Sequence, residues 1–458
     1  MFLKCMYKQQ HKRRHNHALT DTSRFLLVSL NIDAILQETT IHLRRQKLNS
    51  MTDGLGLDDA YGATLDRIKR QGNEKARLGM ATLMWISHSE RPLKPGELCN
   101  VLAVEIGSPS LNTDNVPSLE TLLACCQGLI AVNKEASTLQ LIHATLQKYL
   151  QAHPELFGTA HERMAEACLS YLDSQQVNAL STTLSDLEET PFLEYSSLYW
   201  GMHAKRGLSD SAKHLALKLL EDCPSHISTK ILLEALAQKP YSRAVDFNNL
   251  SLFSGLHCAS IFGIADIVAS LVEIESCDIN QKDCAGNTPL MWAAWNGHEG
   301  VAEILLGRQD INPNKPDNRG QTPLYCAAWT GHEGVVKMLL GHDDVNPDKP
   351  DVYGQTPLFG AASNGHERVV EVLLRRDDVN PDKPNNNGQT PLFGAAWDGH
   401  EGVVRMLLEH GGVSPDKPDK LGRTPLWWAV KSGHAGAVAL LQPLASIISN
   451  ASQGRGPT

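Results

Sequence analysis

The sequence predicts an all-α protein whose C-terminal half is a solenoid of stacked helical repeats. The main observation is the tripeptide Thr-Pro-Leu, which recurs at a fixed spacing, with its threonine at positions 288, 322, 356, 390 and 424. Fixed self-similarity is the signature of repeat architectures, whose units bury their apolar faces by stacking on one another. A second observation is that the chain before the repeats has helical periodicity, interrupted by one short pair of strand patterns.

Within a repeat, the residue order predicts a turn followed by two short helices. In the copy that begins at Asp351, the aspartate opens a turn that Gly354 closes with a positive φ. Thr356 is then placed to cap the first helix, ahead of a proline at the first helical position. Small residues such as Ala361 leave room for a neighbouring helix, and a glycine ends this helix before a second one begins near Glu367.

The segment from Asp317 to Leu340 reads D-N-R-G-Q-T-P-L-Y-C-A-A-W-T-G-H-E-G-V-V-K-M-L-L and resembles the ankyrin repeat. Further copies start at Asp283, Asp351, Asn385 and Asp419. A degenerate first copy begins at Ser254, so we expect about six ankyrin repeats over residues 249–445. The resemblance implies that this region binds other proteins.

The repeats depart from the usual ankyrin pattern in two ways. The histidine that often follows Thr-Pro-Leu is replaced, and we expect apolar packing in place of its hydrogen bond. The replacing residues are Met291, Tyr325, Phe359, Phe393 and Trp427. The loops between units, such as residues 346–351, each carry two prolines. Since proline fixes φ and lacks an N–H, we expect stiff projecting fingers with little strand pairing.

The rest of the chain divides into four predicted regions. Residues 57–150 have the pattern of a winged-helix domain, with helices followed by two strand patterns around Asn133. Residues 151–248 are predicted to be a helical spacer. We expect residues 1–56 to be disordered or the remnant tail of a nucleotide-binding module, and residues 446–458 to be a disordered tail.

Short segments before the repeats carry a more specific resemblance. These segments are Leu65–Gln71, Arg91–Leu93, Leu141–His143, Lys148–Leu150, Pro191–Tyr195 and Tyr199–Trp200. Together with the repeats they are similar to the region after the nucleotide-binding module in NACHT-ankyrin proteins, an NLR-like (STAND) family abundant in filamentous fungi. The resemblance implies a P-loop ATPase that drives assembly, a winged helix that gates it and an ankyrin array that senses a partner.

The P-loop motif of that family is missing from this sequence. Phosphate binding by a P-loop requires G-x-x-x-x-G-K-[S/T], and the dipeptide Gly-Lys does not occur. Only residues 25–36 resemble the tail of such a module. We therefore expect a noncatalytic sensor or scaffold that binds a protein and needs no cofactor. The alternative is a fragment of a signal-transducing STAND NTPase whose ATPase domain lies outside this chain.

Two histidine patterns bear on other chemistry. The resemblance places His143 where the family has a Met-His-Asp motif that approaches the nucleotide phosphate, but Ala144 replaces the aspartate. A weak nucleotide contact and a plain histidine at a strand-to-helix junction both stay open. The recurring His-Glu pairs suggest the zinc motif H-E-x-x-H, but the fifth residue is apolar each time, so we expect no metal site. These fifth residues are Ala302, Val336, Val370 and Val404.

Charge and composition argue against nucleic acid and membrane partners. Residues 60–150 hold nine Lys and Arg against eight Asp and Glu. The predicted recognition helix, residues 96–105, carries Glu97 and Glu105 and no basic residue, so it would repel phosphate. The net charge is −9, the ten cysteines show no paired spacing, and no apolar run reaches the roughly 18 residues of a membrane span. We expect a cytoplasmic protein, with the basic run at residues 12–14 leaving the nucleus as an alternative.

The predicted partner surface combines the concave face of the array with the fingers. Residues at one position of the first helices differ between copies or are aromatic, and tryptophan is a favoured interface anchor. The candidate residues are Trp295, Asn296, Trp329, Thr330, Asn364, Trp397 and Asp398, with Lys349 in a finger. The alternative is that the indoles pack between adjacent helices.

Overall fold

A computed structural model of the chain describes residues 39–52, 57–180, 190–237 and 252–453. The segment at 25–36 and the basic run at 12–14 lie outside the described residues. The chain forms two compact units, one of residues 1–105 and 111–160 and one of residues 106–110 and 161–458. Each unit is described by itself.

The first unit is a helical domain that carries one β-hairpin. Its elements are α1 (Ile41–Thr52), α2 (Leu57–Lys69), α3 (Asn73–His88), α4 (Pro95–Leu102), α5 (Leu119–Cys125), β1 (Ile130–Asn133), β2 (Thr138–Leu141) and α6 (Ala144–Ala152). The strands pair antiparallel, with Ile130 opposite Leu141. Helix α3 packs closely on α5, because a Cβ at Gly79 would lie 2.8 Å from the carbonyl oxygen of Cys125. This element order confirms the predicted helices and hairpin.

One detail of the charge argument against DNA binding was wrong. Helix α4 ends at Leu102, so Glu105 lies beyond it, and Glu97 is only 1% exposed. Both oxygens of the Glu97 carboxylate accept hydrogen bonds from the Arg91 guanidinium, at 2.7 and 2.9 Å, and Lys94 N–H donates to one of them at 2.7 Å. Glu97 therefore closes a turn inside the domain and shows no charge to solvent. Neither α4 nor α5 contains Lys or Arg.

The second unit begins with helices that share a core with the repeats. They are α7 (Ala160–Leu172), α8 (Gln175–Asn178), α9 (Leu193–Arg206), α10 (Asp210–Glu221) and α11 (Ile227–Ala237). Trp200 of α9 packs edge-on against Phe262 of the first repeat, with ring centroids 5.2 Å apart. A Cβ at Gly255 would lie 2.5 Å from the carbonyl oxygen of Leu220. The segment predicted as a spacer therefore covers the N-terminal end of the array.

The repeats follow as pairs of short helices. The first helices are α12 (Gly255–Phe262), α14 (Pro289–Asn296), α16 (Pro323–Thr330), α18 (Pro357–Ser363), α20 (Pro391–Asp398) and α22 (Pro425–Ser432). The second helices are α13 (Ala265–Val272), α15 (Glu299–Leu306), α17 (Glu333–Leu340), α19 (Glu367–Leu374), α21 (Glu401–Glu409) and α23 (Ala435–Gln453). First helices stack on first helices and second on second. This arrangement is the predicted solenoid.

The local chemistry of each repeat matches the prediction. Thr356 accepts a hydrogen bond from Phe359 N–H at 3.2 Å and so caps α18. Asp351 accepts from two backbone N–H groups of its turn, and Gly354 has a φ of 77°. Ala361 is fully buried between helices. These hydrogen bonds join residues that are close in sequence, which is why the tripeptide and its flanking residues predict them.

Before four of the second helices, α15, α17, α19 and α21, a histidine ties neighbouring repeats together. His332 Nε2–H donates to the carbonyl oxygen of Trp295 at 3.1 Å, and His366 does the same to Trp329 at 2.9 Å. The ring of His366 lies over Gly331, which has a φ of 81°, and a Cβ there would come within 2.5 Å of His366 Nδ1. Glycine at this position therefore ends one helix and makes room for the next repeat.

The expected apolar replacement for the ankyrin histidine is confirmed for three of the five copies. Met291, Phe359 and Phe393 are buried and make no side-chain hydrogen bond in the described part of the chain. Tyr325 is also buried, but its hydroxyl donates to Gln355 Oε1 at 3.0 Å, and Trp427 is 42% exposed. The prediction was wrong for these two residues, because Tyr325 keeps a hydrogen bond and Trp427 is not buried.

The first repeat retains the histidine at the corresponding position. His257 is buried, and its Nε2 lies 3.0 and 3.1 Å from the carbonyl oxygens of Gln281 and Asn287. The side chain thereby connects the first helix to the finger that follows. We did not identify this residue from the sequence, although it stands directly after the degenerate Ser254-Gly255-Leu256.

The last helix differs from the predicted boundary. Helix α23 runs to Gln453 with Pro443 inside it, so its backbone is helical over the first eight residues of the predicted disordered tail at 446–458. Across the described residues, no helix combines the length and hydropathy needed to cross a bilayer.

Candidate protein-binding surface

One position of the first helices forms a row of side chains along the array. We call Trp295, Trp329, Ser363, Trp397 and Lys431 the inner row. Trp295 and Trp329 are half-buried, and Trp397 is 40% exposed. The row differs between copies, whereas the threonine, glycine and alanine positions around it recur. Tryptophans in this row therefore present part of their surface to solvent on a repeated helical frame.

Three members of the row contact the following repeat. A Cβ at Gly360 would lie 3.3 Å from Trp329 Cε3, and one at Gly394 would lie 2.1 Å from Ser363 Oγ. Trp397 stacks on Trp428 with ring centroids 3.9 Å apart and planes 8° from parallel. Trp397 thus packs one face against the next helix and leaves another part exposed, and its role as a partner contact stays a prediction.

The residues that follow the row are mostly engaged with their own helix. Asn296 and Asn364 each donate a side-chain N–H to a backbone carbonyl four residues earlier, at 2.9 Å. The hydroxyl of Thr330 donates to the carbonyl oxygen of Cys326 at 2.8 Å. Asp398 differs, since partial burial raises the pKa of its carboxyl while His400 and His434 oppose that shift. Asp398 is the one residue of the four that shows a charge at this position.

Lys349 is held by a contact within the array, and its role in partner binding stays a prediction. Its ammonium donates to the carbonyl oxygen of Asn314, one finger earlier, at 3.0 Å. Lys383 pairs in the same way with Asp348 at 3.0 Å, and Lys417 pairs with an aspartate at 2.9 Å. These lysines connect successive fingers, so each ammonium group already has a partner within the array.

The fingers themselves are confirmed as turns without strand pairing. Residues 252–453 contain no strand, but each tip joins the next through a backbone hydrogen bond, such as Val352 N–H to Arg319 O at 2.8 Å. The lysine contacts and these bonds make the row of fingers a continuous edge.

A cluster of aromatic and basic side chains lies at the last repeat. Trp427 meets Trp428 edge-on at 4.9 Å, and the Arg423 guanidinium lies 4.6 Å from the centre of the Trp428 ring. The Lys431 ammonium lies 4.8 Å from the centre of the Trp427 ring, a cation–π distance. We did not predict this cluster from the sequence. The last copy has two tryptophans directly after Thr-Pro-Leu, whereas each of the other copies has a single aromatic residue in these two positions, and this difference could have indicated the cluster.

His143 has a structural position in the first unit. It caps α6, and its Nδ1 accepts a hydrogen bond from Thr145 N–H at 3.2 Å. Thr145 Oγ1 in turn lies 2.7 Å from the hydroxyl of Tyr61. The geometry is that of a histidine at a strand-to-helix junction, and the nucleotide contact stays an untested prediction.

The described part of the chain was searched for metal-binding clusters and for paired cysteines. Its His, Cys, Asp and Glu side chains form no group of three or more that could hold a metal ion. The nine cysteines within it are free thiols, and burial raises the pKa of Cys126 to about 12. A thiol with so high a pKa is a poor nucleophile near neutral pH.

Comparison with known families agrees with both halves of this description. A family profile described as ankyrin repeats matches three times, at residues 228–317, 309–383 and 377–451. A profile described as the GPI inositol-deacylase winged helix domain matches residues 65–163. No curated protein matches the chain. The chain therefore carries a winged-helix domain of the GPI inositol-deacylase type and a C-terminal region of ankyrin repeats. Ankyrin repeats generally mediate protein–protein interactions.

Proposed function

We propose that this protein is a noncatalytic interaction protein that binds a protein partner through the inner row of its ankyrin array. The observation that carries the proposal is Trp397, which is 40% exposed while stacked on Trp428. Tryptophan and arginine dominate the binding energy of protein interfaces, and the cluster at the last repeat supplies both. Residues that differ between copies give such a surface its specificity.

The frame that carries the row is suited to recognition without rearrangement. The histidine bonds and the lysine-laced fingers hold each repeat against the next. Because a rigid binding surface loses little conformational entropy on association, more of the contact energy contributes to affinity. The array thus acts as a preformed surface for one extended or globular partner.

Within this proposal the protein is a sensor or scaffold of the NLR-like type. The order of a winged helix, a helical segment and ankyrin repeats supports that reading, as do the short segments that resemble NACHT-ankyrin proteins. The lack of the Gly-Lys dipeptide supports a noncatalytic role. The second candidate is a fragment of a STAND NTPase, for which the position of His143 at the winged-helix junction is the motivating observation.

Nucleotide binding separates the two candidates. We expect calorimetry of the purified chain to show no saturable binding of ATP or GTP. Micromolar affinity that is lost in His143→Ala would favour the NTPase fragment, provided that the variant keeps the melting temperature of the wild type.

The partner surface is tested with a partner recovered by co-precipitation from cell extract. Trp397→Ala should weaken its binding roughly thirtyfold, since a buried aromatic anchor contributes about 2 kcal/mol. Arg368→Ala serves as the control, because this side chain is 86% exposed on a second helix and away from the row. Equal affinities for wild type and Trp397→Ala, measured on folded protein, would remove the inner row from the interface.

A further inference from the structure

The residue that opens each repeat turn has a second side-chain atom whose partner differs between copies. In the copy that begins at Asp283, the Oδ2 atom accepts hydrogen bonds from Trp292 Nε1–H at 2.9 Å and from Asn287 Nδ2–H at 3.2 Å. In the last copy, Asp419 Oδ2 accepts from the Arg423 guanidinium at 2.7 and 2.8 Å. These donors stand four or nine residues after the aspartate, so each carboxylate is satisfied within its own repeat.

The middle copy keeps the carboxylate but receives no hydrogen bond from either position. Asp351 is 7% exposed, and no donor in the described part of the chain reaches its Oδ2. Gln355, four residues later, uses its Oε1 to accept a hydrogen bond from the Tyr325 hydroxyl. The ninth residue is Gly360. By the equivalence of the copies, the unpaired oxygen faces the place where Trp292 supplies an indole N–H.

The next copy shows that the turn itself does not require a charge. Asn385 opens that turn, again with a glycine nine residues later, and its Oδ1 accepts from the two equivalent backbone N–H groups at 2.9 and 3.0 Å. Its Nδ2 donates to Gln389 Oε1 at 2.9 Å. Asp317, in the copy before Asp351, is partly exposed to solvent. Asp351 is therefore the buried carboxylate of the series that has a glycine at the ninth position and no cation.

The effect of the missing cation is visible in the titration of the two buried aspartates. Burial raises the pKa of the Asp351 carboxyl, two backbone hydrogen bonds oppose the rise, and Asp317 adds to it. Burial acts on Asp419 in the same direction, but hydrogen bonds from Arg423 and from the backbone hold its pKa below the ordinary value. A guanidinium is the group that distinguishes the two sites, since it favours the ionised carboxylate.

We propose that an arginine side chain of the protein partner pairs with Asp351 at the place left by Gly360. The last repeat supplies the template, because its Arg423 guanidinium binds the carboxylate and lies 4.6 Å from the centre of the Trp428 ring. In the middle repeat the indole comes from the inner row, since a Cβ at Gly360 would lie 3.3 Å from Trp329 Cε3. A guanidinium suits this place better than an ammonium, because it is more weakly hydrated and stacks on aromatic faces.

The partner's arginine would approach from the position that Arg423 holds in the last repeat. The middle copy has the half-buried Gln355 there, so the glutamine side chain turns aside and gives up its bond to Tyr325. This inference rests on the proposed function, because it adds a charged anchor to the same partner surface. It also makes the surface selective for a partner that presents an arginine.

The site is tested alone with N-acetyl-arginine amide, titrated into the full chain up to about 50 mM, a range that brackets millimolar affinity. The backbone amide signals of Tyr353 and Gln355 report binding by nuclear magnetic resonance, because both N–H groups donate to Asp351 Oδ1. We expect saturable shifts in the wild type and an affinity about tenfold lower or weaker still in Asp351→Asn. Asparagine is the native residue at Asn385, so this variant should fold. N-acetyl-citrulline amide, a neutral analogue, should not bind.

A matched pair of arginine substitutions provides a readout that needs no ligand. Gln355→Arg places the arginine of the last repeat beside Asp351, so it should raise the melting temperature, lower the pKa of Asp351 and block the probe. Gln389→Arg is the same change one repeat later, where Asn385 carries no charge, and it should have none of these effects. Equal effects of the two substitutions would overturn the proposal.

The recovered partner separates this proposal from the proposed function. Asp351→Asn should weaken partner binding roughly tenfold. If Trp397→Ala weakens binding and Asp351→Asn does not, the arginine anchor is wrong and the inner row stands. If only Asp351→Asn weakens binding, the anchor stands and the inner row is wrong. Probe shifts that are the same in wild type and Asp351→Asn, or equal binding of the citrulline or lysine analogue, would rule out a guanidinium site.

Discussion

Replacement of Gly331 by alanine tests how one repeat locks onto the next. Gly331 ends α16 with a φ of 81°, and the ring of the next repeat's His366 lies over it. An alanine Cβ would come within 2.5 Å of His366 Nδ1, so the ring must move and its 2.9 Å bond to the carbonyl oxygen of Trp329 must weaken. The variant therefore carries a dihedral cost and a packing cost.

The two costs can be separated by matched variants. A left-handed alanine costs roughly 1–2 kcal/mol, and forced overpacking costs about 1–3 kcal/mol, so Gly331→Ala should destabilise by about 2–5 kcal/mol. Gly433→Ala isolates the dihedral cost, because its φ is 79° and nothing lies within 4 Å of the added Cβ. In a His366→Ala background, Gly331→Ala should likewise cost only the dihedral part, which gives a second control within the same pair of repeats.

The assay is urea denaturation followed by far-ultraviolet circular dichroism, with free energies compared by a double-mutant cycle. We expect Gly331→Ala to cost at least about 1 kcal/mol less in the His366→Ala background than in the wild type. If Gly331→Ala costs the same with and without His366, the histidine ring has no steric role, and the glycine is required for its φ alone.

Three further predictions follow from the buried polar groups and the close helix packing. Burial lowers the pKa of His298 to about 4, opposed by its bond to a backbone carbonyl and aided by Lys205, so unfolding takes up a proton below the ordinary pKa of 6.5. Stability should then fall as the pH drops from about 6.5 to 4, and His298→Gln should flatten that part of the pH profile of unfolding. Arg91→Ala leaves the carboxylate of Glu97 buried without its partner and should cost about 3–5 kcal/mol, against much less for Arg91→Met combined with Glu97→Leu, as measured by denaturation of the first unit. Ala361→Leu should broaden the unfolding transition and cost about 1–3 kcal/mol, and an unchanged midpoint would show that the alanine is not in a tight contact.

The repeat frame was predictable because its determinants are short in sequence and occur several times. A threonine cap, the proline after it and a glycine with positive φ each act within four residues. The same residues recur at these positions in each copy, and comparison between copies separates them from the variable positions. The helices and hairpin of the first unit followed from periodicity in the same way.

Contacts between repeats were not predictable from local pattern. Lys349 was named as a partner-surface candidate from its place in a finger, and its ammonium reaches Asn314 in the preceding finger. Trp397 depends on Trp428 in the following repeat. Each of these pairs is separated by about one repeat length, so neither residue's own surroundings in sequence reveal its partner. The closed N-terminal end has the same cause, since Gly255 packs on a helix outside the repeat pattern.

The partial burial of Trp397 determines which substitution can test its proposed role in partner binding. Stacking on Trp428 fixes the indole before any partner arrives, which lowers the entropic cost of binding and favours its use as an anchor. The same stacking means that Trp397→Ala removes a contact between repeats, so the variant should lose stability as well as affinity. Trp397→Phe separates the two effects, because a phenyl ring retains part of the stack while it gives up the outer part of the indole. If the partner recognises the exposed part, Trp397→Phe should lose most of the affinity that Trp397→Ala loses and only a fraction of the stability, and a parallel loss of both quantities would assign the indole to repeat packing alone.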